Sequence, residues 1–468
     1  MTDRRNFIKQ LTMAGIAYSI PDILYSQSNN LRSTLETESI ANEDGLYVGW
    51  AVADITPNRP VALTGQLHKR ISEAVQDLLN ATVLALETQG HNGMKEQAIM
   101  VSCDLTFIRA QTQKKLQEVI AKRLSDFDAS KLFLNATHTH TSPGLIDGEF
   151  FGLYDTSDDK SVMKPSEFET FFIERVSDAV VSAWKSRKLG GFSWGLGNAS
   201  LGHNRRTVNF DGTAGMYGVK NPNFSHYEAT NDNKVQMLFF WDSNKTLTGI
   251  LINSVTTAQV TDGTNFISAD FFNEVRQTIK KKYGEEIFIF FQIGAAGDIT
   301  PSNHENVYKR AENIMLKRKA ITARQELANR MLLAVDEVMP YVQDDIDFKP
   351  LFKHLVAKVD LPVEKSVDLP FYLVDDVNPA MLHIIRLGDI AIATNPFELY
   401  IDYGMQIKAH SEAVLTFLVQ LSCHHSGYLP TKRAVEGGGY AADKYLVGPD
   451  GGQVLVNETV KLINEMWQ

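Results

Sequence analysis

The sequence predicts an α/β protein: a mixed β-sheet core flanked by helices, with the active site at the carboxyl ends of the strands. Three observations carry this prediction. Short apolar runs of strand length recur along the chain, and each ends in a polar or glycine-rich cluster. Between them lie longer stretches whose apolar residues fall on one helical stripe. The segment from Phe352 to Val363 instead alternates as an antiparallel strand does, which makes the sheet mixed. Sheets of this class bind ligands outside the carboxyl ends of their strands, so the polar clusters are where chemistry is expected.

The elements follow in order. Arg4-Arg5-Asn6-Phe7-Ile8-Lys9 precedes a mildly apolar stretch from Leu11 to Ile20, the pattern of a twin-arginine export leader. Residues 1–26 are therefore expected to be a signal segment, with cleavage around Tyr25 to Gln27, and the protein to be exported and periplasmic. Residues 27–44 are polar and rich in Asn and Ser, as in a linker, and residues 45–468 are expected to form one catalytic domain. Ala98 to Val101 leads to Asp104, and Leu132 to Leu134 leads to Asn135-Ala136-Thr137-His138-Thr139-His140-Thr141-Ser142-Pro143-Gly144. Leu247 to Ile252 leads to Asn253, Thr256, Thr257 and Gln259. Ile287 to Phe291 leads to Gly297-Asp298-Ile299-Thr300-Pro301, Ile390 to Ala393 leads to Pro396-Phe397-Glu398, and Val414 to Leu421 leads to His424, His425 and Tyr428. Helices are expected over Phe171 to Trp184 and, as one charged stretch, over Glu305 to Val338 with Leu316, Ile321, Leu327, Met331 and Leu332 inward.

Composition bounds the function. With 468 residues the chain is long enough for one large α/β body or two to three domains. A hydrophobic content of 44% and a charged content of 22% are ordinary for a globular protein. A net charge of -10 with no basic run argues against a nucleic-acid partner. No apolar stretch of spanning length follows the N-terminus, so no transmembrane segment is expected in the mature chain. Only Cys103 and Cys423 are present, which excludes a disulfide scaffold.

His138 and His140 carry the strongest chemical signal. Side chains at i and i+2 of an extended segment point the same way, so both rings are expected to face one site. Imidazole is the commonest metal ligand and proton shuttle near neutral pH. Loop-bound structural histidines are the alternative.

The run Asn135 to Gly144 resembles the Asn-Ala-Thr-His-Thr-His-Ser-Gly-Pro-Gly signature of the neutral/alkaline ceramidase family, zinc amidases that hydrolyse the N-acyl bond of ceramide. Val48 to Thr56, the turn at Gly65, Asn204-Arg205, Gly297 to Pro301, Pro396 to Glu398 and Tyr428 extend the resemblance from about Tyr47 to Gly452. The resemblance implies that His138, Glu398 and Tyr428 hold Zn2+, with His140 and Arg205 at the substrate. It places Thr300 at the family's serine position, and Gly65, Gln259 and Tyr440 are expected to line the substrate. The implied activity is hydrolysis of an amide or related acyl bond by metal-activated water. The chain departs from the pattern where the family's second zinc histidine should stand, since Ser254 to Gln259 contains none; His424, His425 and His304 are candidates to replace it. It also ends soon after Gly452, without the immunoglobulin-like domain of the family's larger members, which weakens the expectation of a membrane lipid. Three other readings remain at this point. The scaffold acts on a polar glycan or glycoside derivative; it uses another metal or none, with His140, Asp298 or Glu398 as acid and base; or it is a periplasmic binding protein.

Overall fold

The computed structural model describes residues 44–89, 95–148, 152–364 and 378–468. The expected leader, and the linker up to residue 43, lie outside the described residues.

The main elements run β1 (Gly45–Asp54), β2 (Asn80–Gln89), β3 (Lys95–Cys103), α1 (Ala110–Arg123), β4 (Leu132–Ala136), α2 (Pro165–Lys185), β5 (Lys188–Asn198), β6 (Lys234–Asp242), β7 (Leu247–Ser254), α3 (Phe271–Tyr283) and β8 (Phe288–Ile293). They continue with α4 (Lys309–Lys319), α5 (Ala323–Val342), β9 (Phe352–Val359), β10 (Ala380–Leu387), β11 (Ile390–Thr394), α6 (Ile401–His410), β12 (Leu415–Val419) and α7 (Pro449–Asn464). An eight-stranded sheet has the order β8-β7-β6-β5-β1-β2-β3-β4, and a four-stranded sheet the order β9-β10-β11-β12. Pairing is antiparallel except for β7 with β8, β3 with β4 and β11 with β12. This is the α/β fold with a mixed sheet that the sequence predicts.

The sheets stack face to face. Trp50, Phe133, Phe240 and Phe290 of the larger sheet pack with Ile385, Ile392 and Phe417 of the smaller one. The opposite face of the larger sheet is covered by α1, α2, α3 and α5, and α6 and α7 lie on the outer side of the smaller sheet. In β6, Met237, Phe239 and Trp241 face helices while Leu238 and Phe240 face the second sheet. Strands buried on both sides read as continuous apolar runs, so periodicity identifies them as buried without showing that two sheets are stacked.

The larger sheet is curled, and its edges meet. The Ser102 hydroxyl of β3 and the Asn135 amide of β4 both donate to the Phe291 carbonyl of β8, at 2.7 and 3.0 Å. The end of β12 closes the same seam, with the Gln420 amide bonded to the Ile293 carbonyl and Asn253 Nδ2 to the Leu418 carbonyl. The polar strand ends are thereby gathered at one place.

One expected element differs. The stretch from Glu305 to Val338 is two helices, α4 and α5, separated at Ala320, whose φ is 54°. Thr322 caps α5 by accepting from the Gln325 amide, and the Gln325 side chain reciprocates. Leu327 and Met331 face inward, whereas no side chain of α4 is buried. Among the described residues, no helix is long and apolar enough to cross a membrane.

Candidate active site at the sheet seam

β4 ends at Ala136, and the chain turns at His138, which adopts φ 61°. The left-handed region costs a branched or bulky residue on the order of 1–3 kcal/mol, and two bonds hold His138 there. Its amide donates to the Leu105 carbonyl, and its Nδ1 lies 2.9 Å from the Thr106 carbonyl. A carbonyl can only accept, so Nδ1 carries the proton and Nε2 presents its lone pair. The rings of His138 and His140 therefore meet through this turn rather than through strand alternation. Their Nε2 atoms are 3.3 Å apart, and the rings lie edge to face at 74°.

His140 is seated by its surroundings. A Cβ on Gly65 would lie 2.3 Å from His140 Cγ, and Gly65 has φ +96°, so this position needs glycine for both space and backbone. Arg70 is buried and binds the carbonyls of His140, Thr64, Asp262 and Thr264. It lies on a short strand, Arg70–Ile71. Gln259 Oε1 accepts from the Thr257 hydroxyl at 2.5 Å, which fixes the amide so that Nε2 donates to His140 Nε2 at 2.6 Å. Gln66 and Asp262 stand on the Nδ1 side, at 3.5 and 3.9 Å. Burial, reinforced by His138 and Arg70, holds His140 well below the ordinary imidazole pKa, and burial also lowers His138.

Glu398 enters from the end of β11. Its Oε2 is 3.5 Å from His138 Nε2, and its Oε1 is 3.3 Å from His425 Nε2. His425 stacks on Phe107 with centroids 3.9 Å apart, and Phe107 also meets the edge of His138. Sequence reasoning offered His424, His425 and His304 as substitutes for the missing histidine; the structure brings His425 to Glu398. His304 instead donates to the Gln259 carbonyl at 2.7 Å, and His424 Nε2 is buried without a partner among the described residues. Glu398 and Tyr428 are direct neighbours in a short parallel bridge.

Arg205 lies beneath Tyr428. Its guanidinium donates to the Tyr428 hydroxyl at 3.1 Å and the Gly297 carbonyl at 2.8 Å, and faces the rings of Tyr428 and Tyr440. It has no carboxylate partner among the described residues. Gly297 lets the Glu398 backbone pass close by, since a Cβ there would lie 2.3 Å from the Glu398 carbonyl. Thr300 Oγ1 is 3.0 Å from the Tyr217 hydroxyl, and Tyr217 stacks on His304. Asp298 is turned to structure: its oxygens accept from the Ile401 amide and Asn204 Nδ2, and burial raises its pKa to about 6. It is therefore not among the groups facing His138, as the sequence allowed.

A lobe of short strands covers this side. Arg206 makes a bidentate pair with Glu228 and also binds the carbonyls of Ala434, Gly438 and Tyr440. The glycine-rich stretch after Lys432 is a short helix, Lys432–Gly437, and a turn clasped to the lobe. The Arg206 clasp and the Thr106 carbonyl escaped sequence reasoning, because only the fold brings them to the site.

No family model and no curated protein sequence matches the chain. Solved structures do. The neutral ceramidase of Pseudomonas aeruginosa matches with a TM-score of 0.70 at 16% identity, over 90% of this chain and 75% of that one. A ceramidase complexed with C2 matches with a TM-score of 0.70 at 16% identity, over 91% of this chain and 76% of the other. The chain has the fold of these ceramidases.

Proposed function

We propose that this protein is a ceramidase-like hydrolase that cleaves the amide, or a related acyl bond, of a lipid, uses zinc, and acts after export. The observation that carries the reading is the meeting of the His138 Nε2 lone pair with the Glu398 carboxylate, 3.5 Å apart in a buried pocket beside an Arg205 that has no carboxylate partner among the described residues. The ceramidase fold supports it.

The donor chemistry fits a zinc ion. Bonds of about 2.0–2.2 Å to a tetrahedral ion put ligand atoms about 3.4 Å apart, close to the spacing of His138 Nε2 and Glu398 Oε2. Among the described residues, no group of three or more His, Cys, Asp or Glu is placed to hold a metal. The proposed set accordingly has one imidazole, one carboxylate and the Tyr428 phenol. When bound there, zinc would polarise the scissile carbonyl and lower the pKa of a water to about 7. The chain's own residues do the rest. The Thr106 carbonyl fixes the His138 tautomer, and His425 holds the Glu398 carboxylate in orientation. Arg205 aims an uncompensated positive charge at the oxygen where negative charge develops. His140, locked by Gln259, and Tyr440 border the scissile group, and Tyr217 with Thr300 closes the far side.

Metal analysis of purified protein is expected to give about one zinc per chain. His138→Ala should lose the metal, whereas His140→Ala should keep it and lose turnover of a short-chain fluorescent ceramide. Metal-free protein at neutral pH with chelator-insensitive turnover would sink the zinc reading.

One observation favours a second reading, a glycan or glycoside derivative as substrate. A cavity of about 340 Å³ beside Thr64 has polar side chains in its lining, among them Asp147, Tyr154, Ser157 and Lys164, together with Ala62, Ile146 and Pro165. Thermal stabilisation by a sugar, without release of fatty acid from ceramide, would favour it.

A further inference from the structure

We infer that α4 is a docking surface for anionic lipid bilayers, which presents the pocket to substrate held in a membrane. The inference rests on the reading above that the substrate is a lipid amide, and it adds where that lipid is met.

None of the side chains of α4 is buried, although it contains Ile314, Met315 and Leu316. Ile314 and Met315 are 42% and 45% exposed, and Val307 and Tyr308 just before the helix are more exposed still. A helix kept only for packing would turn these residues inward. The polar residues are almost all basic. Lys309, Arg310, Lys317, Arg318 and Lys319 stand against Glu312, so α4 carries a net charge of +4 within a chain of net charge -10. The rest of the chain therefore sums to -14, that is, -10 less the +4 of α4. Lys319 pairs with Glu326 of α5, whereas Lys309, Arg310, Lys317 and Arg318 have no ion pair among the described residues. Arg310, Ile314 and Arg318 follow one another at i, i+4 and i+8, with Lys317 three residues from Ile314, so an apolar residue projects from a basic stripe. Apolar residues rimmed by free cations on an exposed helix form the composition that lies in a membrane interface and favours anionic headgroups. Beneath the helix, Met315, Leu316, Ala323 and Leu327 help to line a groove of about 300 Å³.

The position of α4 gives the surface its purpose. Thr300 touches the Tyr217 hydroxyl at the pocket, and four residues later His304 binds the Gln259 carbonyl. Asn306 Nδ2 then bonds Glu312 within α4, and Lys220 of the covering lobe reaches Glu305 at 3.0 Å. The helix thus belongs to the rim of the site.

Co-sedimentation of the full chain with vesicles tests the inference. Binding is expected to vesicles containing phosphatidylglycerol and not to pure phosphatidylcholine, and to weaken as salt is added. Arg310→Gln/Lys317→Gln/Arg318→Gln should lower the partition coefficient about a hundredfold. Ile314→Ser should weaken the binding that persists at high salt. Both variants change exposed residues outside the catalytic site, so turnover of a water-soluble short-chain ceramide should be unchanged. Equal binding to both vesicle types, no binding at all, or a triple variant that binds like the native chain would overturn the docking surface. Failure to hydrolyse the short-chain ceramide, with vesicle binding as stated, would overturn the hydrolase reading and support the docking surface.

Discussion

Gly65 and His140 show how tightly single residues define this pocket. A methyl group at Gly65 meets the imidazole at 2.3 Å, and the backbone there is left-handed. Gly65→Ala is therefore expected to displace His140, lowering kcat at least tenfold and stability by about 1–3 kcal/mol. Steady-state kinetics and a thermal melt check both; an unchanged kcat would show that His140 is not needed where it stands. The His-x-His pair is legible in sequence because spacing and residue type are local. The way the rings meet is not, because it depends on the positive φ of His138 and on the backbone carbonyl of Thr106, which no side-chain code specifies. His425 was only one of several candidate histidines for the same reason. Its place beside Glu398 is set by the path of the chain after β12.

At the scale of elements, the covering lobe depends on one cation. Arg206 and Glu228 are both buried, and Arg206 also binds three carbonyls of the segment that carries Tyr440. Arg206→Ala leaves a buried carboxylate unpaired and should cost about 3–5 kcal/mol. Arg206→Met/Glu228→Met should recover most of that stability without recovering turnover, because the bonds that hold Tyr440 stay broken. Denaturant unfolding alongside kinetics separates the two effects, and full recovery of turnover would show that the clasp does not position the site. The helix break at Ala320 has a local signal in the capping box Thr322 to Gln325, although helical periodicity continues on both sides of it. The α4 sequence shows its charge plainly, whereas the exposure of its apolar residues emerges only from the packed chain.

Across the whole molecule, a second buried histidine pair is expected to contribute to acid lability. His354 Nδ1 donates to the Gln97 carbonyl, and its Nε2 is 3.0 Å from His383 Nδ1, deep between the sheets. The carbonyl fixes the proton on His354 Nδ1, so His354 Nε2 accepts from His383 Nδ1, and His354 cannot gain a proton without losing the bond between the rings. Burial holds His354 down to about 4 and lowers His383 well below its ordinary value. A histidine depressed in the folded state binds its proton first in the unfolded chain. Stability should therefore be full above about pH 6.5 and decline toward pH 4, by about 3 kcal/mol for His354 alone. Urea midpoints across this window, compared with His354→Asn, test it; an equal slope in both proteins would exclude the pair as the cause. The fold class was legible because mixed sheets and flanking helices leave local periodicities. The stacking of two sheets and the curling of the larger one were not, since strands buried on both faces look alike wherever they lie. That curl has a consequence for how the protein comes apart. His138 follows one edge of the larger sheet and Gly297 the other, while Glu398 and Tyr428 arrive from the smaller sheet, so the pocket exists only while the seam is shut. The proposed site therefore cannot outlast an opening of that seam, even where the helices and the rest of both sheets stay intact.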